Sequence, residues 1–585
     1  MRHLRTGLIL CLVLAAAASA GLGSSAVRAQ ARPRLAPADV DAIAALLKLE
    51  DTRRLDAAVL TPLLTATHPE VRRRAVQTIG RINDPAGKAL LVSARGETDP
   101  EVLATVAFST GQLRDAEAIG WLDSLLSAGE KSPVVAREAA RSLGKIRTID
   151  ASAALVRYLN GATATRATTP VVAEALLSLG RFVNPTQADA PPVRARGDVA
   201  AAARWITSAN VEIRWRTAWA LTRLRDPEAV PSLMQLVDDR SPDVRHWAAR
   251  GLSAAVVARS TVDRARVSAK LRAAVKDSDR RVRTEALRAL SQYEDDESFA
   301  VVLAELESKD SWMFVSAAEA MGRFDMRREA ETPKVIAAVG EQRPTALRMT
   351  ALAPLAILAP DAAREAANAL SKSESVAARG VATQTLQRLD AAAAAQAGAR
   401  GGAGRAGGGG AGGGGRGGGG RGAPPARPER PDADYRRLVE QWIVPAYNGA
   451  PAPRVIWQTP RGEVEIELYP GDAPFGVEYL MKVMQSGAIV GTEFGRVVPN
   501  FVAQQRAIAG ADLPLRDEVS RRGLAHGNLS WASAGLDTGR PGYTLATAPH
   551  PHIEGDFTAL GRIVRGMAAV DRIELSDRII AARIR

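Results

Sequence analysis

The stretch Phe494-Gly-Arg-Val-Val-Pro-Asn-Phe-Val-Ala-Gln504 sets one guanidinium, one aromatic ring and one amide at fixed intervals on a β-rich background. Arg496, Phe501 and Gln504 fall at i, i+5 and i+8. Side chains on a strand alternate faces. A straight strand would therefore put Arg496 and Gln504 on one face and Phe501 on the other. Pro499 and Asn500 interrupt the strand, and a turn there brings all three side chains to one surface.

Further motifs run in order on both sides. Upstream are Gly462-Glu-Val-Glu-Ile-Glu-Leu-Tyr469, then Ala473-Pro474 opening a helix, then Gly491-Thr492. Downstream are Arg522-Gly523, Leu529-Ser-Trp-Ala-Ser-Ala-Gly535, Asp537-Thr538-Gly539, Pro551-His552, Glu554-Gly555 and Gly561-Arg-Ile-Val-Arg-Gly-Met567. Their order and spacing resemble the cyclophilin family of peptidyl-prolyl isomerases from about Val455 to Ile580. The resemblance implies a closed antiparallel β-barrel with two capping helices.

The implied chemistry is rotation about X-Pro bonds. The barrier is about 18–20 kcal/mol because rotation breaks amide resonance. A fixed cationic donor aimed at the proline nitrogen stabilises the twisted amide more than the planar one, and arginine, always charged and planar, suits that task. By resemblance Arg496 is the catalytic arginine and Phe501 a wall of the proline pocket. Gln504 binds substrate backbone, Ser533 binds it through its own backbone, His552 sits at the pocket rim, and Val502 joins the substrate-binding set. The sequence also departs from the family. Gly495 replaces the usual histidine before the arginine, and Gln504-Gln-Arg-Ala507 replaces Gln-Gly-Gly-Asp. Arg540-Pro-Gly-Tyr-Thr544 replaces Gly-Ser-Gln-Phe-Phe, so a pocket phenylalanine becomes Thr544 and a substrate-binding glutamine becomes Gly542. Loss of that aromatic wall removes apolar area from proline burial. His550, His552 and Glu554 alternate as zinc ligands can, but they also fit a loop of the cyclophilin pattern. No metal and no cofactor is expected.

Toward the amino terminus a second pattern recurs. A small or acidic residue precedes Pro, then Val, Arg, Ala and finally Leu-Gly with a basic residue after it. His68-Pro-Glu-Val-Arg-Arg-Arg-Ala75 with Ile79-Gly80 is one copy, and Ser241-Pro-Asp-Val-Arg245 is another. Others begin at Asp99-Pro100, Ser132-Pro133, Thr169-Pro170 and Asn210, and later ones near Asp279, Asp310, Pro344 and Ser375. The residue before Pro caps a helix, Pro occupies its first position without losing a hydrogen bond, and Gly closes it. This resembles HEAT repeats from about Ala36 to Asp390. Such solenoids offer a long concave face, here expected to hold client proteins. Trp215, Trp219 and Trp247 lie near arginines in sequence. They either line a peptide groove with cation–π character or pack between adjacent helices. Most solenoid arginines are read as solvated stripes and ion pairs.

Residues 391–432 turn Ala-rich, then Gly/Arg-rich, then Pro-rich, and read as a flexible tether. Met1-Arg-His-Leu-Arg5, the apolar run Leu8–Ala18 and Val27-Arg-Ala29 read as a secretory signal over residues 1–29. Export to the periplasm or medium is expected, with no other membrane span. The one cysteine, Cys11, lies inside that signal, so disulfides contribute nothing to the mature chain. The net charge of +13 is spread along the chain and permits contact with anionic envelope polymers rather than specifying nucleic acid.

The expected organisation is therefore a signal (1–29), an all-α HEAT solenoid (36–390), a linker (391–432) and a cyclophilin-like barrel (433–585). Two functions follow. One is an exported peptidyl-prolyl isomerase acting on proline-containing clients held by the HEAT scaffold. The other is a non-catalytic scaffold whose degenerate pocket binds proline peptides or merely persists.

Overall fold

The structure is a computed structural model and describes residues 33–182, 194–321, 328–338, 340, 342–400, 430–508, 515–533, 536–539 and 541–585. The expected signal segment lies outside the described residues, as do Arg540 and positions 401–429 of the expected linker.

From Pro37 onward the chain is a stack of helices. An inner layer comprises α1 (Pro37–Thr52), α2 (Pro69–Ile82), α3 (Pro100–Gln112), α4 (Pro133–Ile146), α5 (Thr169–Leu179), α6 (Val211–Leu224), α7 (Pro242–Gly251), α8 (Arg280–Leu290), α9 (Ser311–Met321), α10 (Thr345–Leu358) and α11 (Val376–Arg400). Each packs on the next, and shorter helices between them form the outer layer. The starts obey the capping chemistry. Asp99 accepts from the amides of Glu101 and Val102 ahead of Pro100, and Asn210 accepts from that of Glu212. Small residues let neighbouring helices touch. A Cβ on Gly80 would meet Ser109 Oγ at 2.6 Å, and one on Gly144 would meet Ser178 Cβ at 2.6 Å. The tryptophans follow the packing alternative. Trp219 is 1% exposed and abuts Gly180, while Trp215 and Trp247 are buried beneath Arg216 and Arg250.

Residues 391–400 of the expected tether are not a loop but the last turns of α11. Described structure resumes at Arg430, followed by α12 (Asp432–Leu438), which leans on α1. Tyr435 Oη donates to Asp51 at 3.0 Å, and Lys48 pairs with Asp432 at 2.7 Å.

The sheet comprises β1 (Arg454–Thr459), β2 (Gly462–Leu468), β3 (Phe494–Val498), β4 (Val502–Gln505), β5 (Asn528–Trp531), β6 (Tyr543–Ala546), β7 (Ala559–Arg565) and β8 (Ala581–Ile584). The order is β3-β4-β6-β5-β7-β2-β1-β8, with every neighbour antiparallel. It is a curled half-barrel, which corrects the expectation of a closed barrel. The physical reason lies just before β8. Ser576, at φ 72, turns the chain so that it touches β3 only briefly, through Ser576 N to Phe494 O at 3.0 Å and Phe494 N to Asp577 O at 2.8 Å. A single bridge, Glu493 with Arg578, completes that seam, and β8 then runs along β1 instead. One long helix, α13 (Pro474–Gln485), packs on the sheet, whereas the second expected cap, α14 (Met567–Val570), is four residues long. The core gathers Trp457, Ile466, Leu480, Phe494, Leu529, Trp531, Tyr543 and Leu560.

The inner helical layer lies against this sheet domain, so the concave face expected to hold clients is occupied by the chain itself. Offsets of five, eight and twelve residues from a helix start fall on one face. In α2 and α4 those offsets carry Arg74 and Arg81, then Glu138, Arg141 and Lys145. Arg74 donates to Gly471 O at 2.9 Å, Arg81 to Val519 O at 2.9 Å, and Arg141 to Arg521 O at 2.8 Å. Lys145 reaches Asp556 at 3.4 Å. Of the expected solvated stripes and ion pairs these charges follow the second: Arg81 pairs with Glu50 at 2.7 Å and Arg141 with Glu138 and Glu174 at 3.0 Å each, and Arg81 is 1% exposed and Glu138 0%. The three arginines satisfy loop carbonyls that no strand pairs, which a buried loop requires. At the far end, the Glu493 carboxylate accepts from Ala377 N at 2.9 Å and so caps the start of α11.

Candidate active site

The site grows from the β3–β4 hairpin. Asn500, at φ 56, adopts the left-handed conformation that asparagine tolerates, and Phe501 N donates back to Val498 O at 3.0 Å. This turn lets Phe501 join the face that carries Arg496 and Gln504, as the strand interruption predicts. Arg496 is register partner to Gln504, Gln504 to Thr544, and Thr544 to Ser530. The result is one polar row across β3, β4, β6 and β5. Beside it runs an apolar row, Val498, Val502 and Ala546. Val502 and Ala546 are each 5% exposed. The alternate residues Ala503, Leu545 and Leu529 point the other way, into the core.

Arg496 is exposed, yet it is held in place. Its Nη1 donates to Gln504 Oε1 at 3.2 Å, and its guanidinium carbon lies 5.4 Å from the centre of the Phe501 ring. A cation over an aromatic face at that distance is attracted by the ring quadrupole. Phe501 is fixed from behind. Its carbonyl accepts from Thr547 N at 2.9 Å and lies 2.7 Å from His550 Nε2, while its ring centre is 4.5 Å from that of His550. His552, in the turn Pro551–Ile553, stacks on Phe501 at 6.0 Å with 27° between the planes. Burial, with the charge of Arg250 and Arg496 among its neighbours, pushes His550 down to about 4. Burial, the adjacent His550 and the charges of Arg223, Arg250 and Arg181 push His552 down to about 3. Both rings are therefore neutral at pH 7, and His550 holds its proton on Nε2 facing the Phe501 carbonyl.

Ser533 lies beyond the end of β5, with its hydroxyl 3.1 Å from that of Thr538. Thr544, which stands where the family has an aromatic wall, is 8% exposed and closed onto Ser530, hydroxyl to hydroxyl at 2.6 Å. The two glycine replacements have steric causes. A Cβ on Gly495 would meet Arg506 Cγ at 2.5 Å, and one on Gly542 would meet Gln505 O at 3.0 Å and Ala507 N at 3.2 Å. The side chain of Arg506, absent from the family pattern, fills the space beside Gly495 and also approaches Gly380 of α11, whereas Gly542 is crowded by the main chain of residues 505–507.

Sequence reading of the hairpin alone missed what the helices contribute. Asn500 Nδ2 donates to Glu285 Oε1 at 2.9 Å and to Arg281 O at 3.0 Å, and Arg288 donates to Pro499 O at 3.0 Å. Glu285 and Arg288 occupy offsets five and eight of α8, the same positions that contact the sheet domain from α2 and α4. That repeat phase was the signal available in the sequence.

Residues 454–582 match the family described as cyclophilin type peptidyl-prolyl cis-trans isomerase/CLD, and residues 57–131, 88–176 and 199–267 match HEAT repeats. The chain is 31% identical over 131 residues to a peptidyl-prolyl cis-trans isomerase of Helicobacter pylori, covering 21% of this chain and 80% of that one. It is 30% identical over 129 residues to peptidyl-prolyl cis-trans isomerase B of Bacillus subtilis, covering 21% and 90%. A crystal structure of a cyclophilin type peptidyl-prolyl cis-trans isomerase from Cryptosporidium parvum aligns at 18% identity and TM-score 0.21, covering 23% of this chain and 97% of that one. The chain thus belongs to the cyclophilin-type peptidyl-prolyl cis-trans isomerase family, with its isomerase domain joined to a HEAT-repeat solenoid.

Proposed function

We propose that this chain is an exported peptidyl-prolyl cis-trans isomerase in which Arg496 drives rotation about an X-Pro bond. The observation that carries the reading is the Arg496 guanidinium held 5.4 Å above Phe501 beside the apolar row of Val502 and Ala546. As the imide twists, its nitrogen becomes pyramidal and basic. Arg496 donates to that nitrogen, an interaction the planar ground state lacks. Phe501 and Val502 hold the pyrrolidine ring, with His552 at the rim. Gln504, its Oε1 engaged by Arg496, turns its amide N–H toward a substrate carbonyl. The Ser533 backbone aligns the extended peptide.

The clients are proline-containing polypeptides that enter at the mouth over Phe501, because the inner helical layer is taken up by the sheet domain. The solenoid's part is to frame that mouth. The basic and apolar residues of positions 1–29 support export to the periplasm or medium.

A second reading, proline binding without turnover, draws on Thr544, whose closure onto Ser530 leaves the pocket with one aromatic wall fewer than the family pattern. Exchange spectroscopy on an Ala-Pro peptide with the full chain separates the two. Faster cis-trans exchange than in buffer supports isomerisation, and binding without faster exchange supports the second reading. A secreted chain beginning at Gln30 supports export, and a retained Met1 rejects it.

A further inference from the structure

The helices set a row of cations beside the proline pocket. Arg181 follows the end of α5 by two residues, Arg223 stands at the twelfth offset of α6 and Arg250 at the eighth offset of α7. Two short chains of contacts tie the ends of this row to Phe501. On one side Arg250 Nη1 is 3.9 Å from Glu285 Oε1, the same oxygen that accepts from Asn500 Nδ2 at 2.9 Å. On the other, Arg181 Nη2 is 3.6 Å from Glu554 Oε2, two residues after the His552 that stacks on Phe501.

Glu174 and Glu554 lie beside Arg141 and Arg181, so the shortfall of carboxylates falls on Arg223 and Arg250. Glu285 is shared by Arg250, Arg288 at 3.4 Å and Asn500. Glu554 is shared by Arg181, Arg141 at 3.8 Å and the amide of Leu524 at 3.0 Å. Among the described residues no carboxylate pairs with Arg223. Its guanidinium lies 5.9 Å from the Trp219 ring, and its buried Nε has no hydrogen-bond partner. Burial and the neighbouring Arg250, Arg225 and Arg147 push its guanidinium down to about 10, as expected for a cation held among cations. A partly desolvated, under-compensated arginine cluster gains by accepting an anion, and a guanidinium matches a carboxylate geometrically.

We infer that Arg223 and Arg250, flanked by Arg181, form a subsite that selects client segments carrying an acidic side chain close to the X-Pro bond. This rests on the isomerase domain receiving proline peptides at the Phe501 pocket. It assigns the solenoid a direct part in choosing them.

The test is binding, which does not depend on turnover. Three fluorescein-labelled peptides share an Ala-Pro core flanked on both sides by Glu, Gln or Lys. Anisotropy with the full chain at low salt is expected to give about tenfold tighter binding of the Glu peptide than of the Gln peptide. The Lys peptide is expected to bind weakest, and the Glu preference to shrink as salt is raised. Arg223→Gln and Arg250→Gln should each bring the Glu-to-Gln ratio toward one, while Arg223→Lys, which keeps the charge, should retain most of it. Equal affinities for Glu and Gln peptides, or a ratio unchanged in Arg223→Gln, would overturn the proposal. A failure of the isomerase reading would appear separately, as tight binding with exchange no faster than in buffer.

Discussion

Arg53 at the end of α1 and Asp537 in the β5–β6 loop form a two-pronged ion pair, Nη2 to Oδ1 at 2.6 Å and Nε to Oδ2 at 2.8 Å, across 484 residues of chain. Their side chains are 4% and 1% exposed. Arg53 also donates to Asp517 O at 2.7 Å and to Arg81 O at 3.0 Å, so one guanidinium ties the solenoid to two loops of the sheet domain. Removing one partner leaves the other charge buried and unpaired. Asp537→Ala is therefore expected to destabilise the full chain by about 3–5 kcal/mol. Urea unfolding of the two proteins checks this, and equal midpoints would mean the pair holds nothing.

The two histidines in contact with Phe501 give stability a pH dependence. In the folded chain they titrate at about 4 and about 3, against about 6.5 when unfolded. Below 6.5 the unfolded chain takes up protons that the folded chain refuses, so stability falls as pH drops from 6.5 toward 4. For His550 the loss approaches about 3 kcal/mol. His550→Gln, whose amide still donates toward the Phe501 carbonyl, should flatten that part of the unfolding-versus-pH curve. Identical slopes in the two proteins would contradict the assignment.

Restoring a family residue should harm this chain rather than help it. Gly542→Gln must place a Cβ 3.0 Å from Gln505 O and 3.2 Å from Ala507 N, both backbone atoms that cannot swing aside. Overpacking of this kind costs about 1–3 kcal/mol. A melting temperature lowered by several degrees is expected, and one unchanged or raised would show that the backbone yields.

Much of the fold was legible because its signals are local. Asp99-Pro100 and Ser241-Pro242 announce helix starts, and the Phe494–Gln504 stretch contains the turn that gathers the site. The open seam was not legible, since it depends on where a single turn at Ser576 sends the chain. Nor was the docking of the two parts. A charge at a repeated offset reads as solvated when the surface it meets lies hundreds of residues away. The reading of the solenoid arginines as solvated stripes and ion pairs thus did not show that Arg81 and Arg141 also bind loop carbonyls of the sheet domain, and Glu285 was missed as a neighbour of the site. The departures at Gly495 and Gly542 acquire a cause only once the Arg506 side chain is seen against the first and the main chain of residues 505–507 against the second.

Arg496 over Phe501 is the contact on which the functional account turns. The decisive measurement is the rate of cis-trans exchange of an Ala-Pro peptide catalysed by the full chain and by its Arg496→Ala variant. Peptide binding and unfolding are followed alongside. Loss of one aimed donor costs about a hundredfold or more in turnover, so the account predicts a drop of that size with folding intact. Equal rates above buffer in both proteins would contradict it.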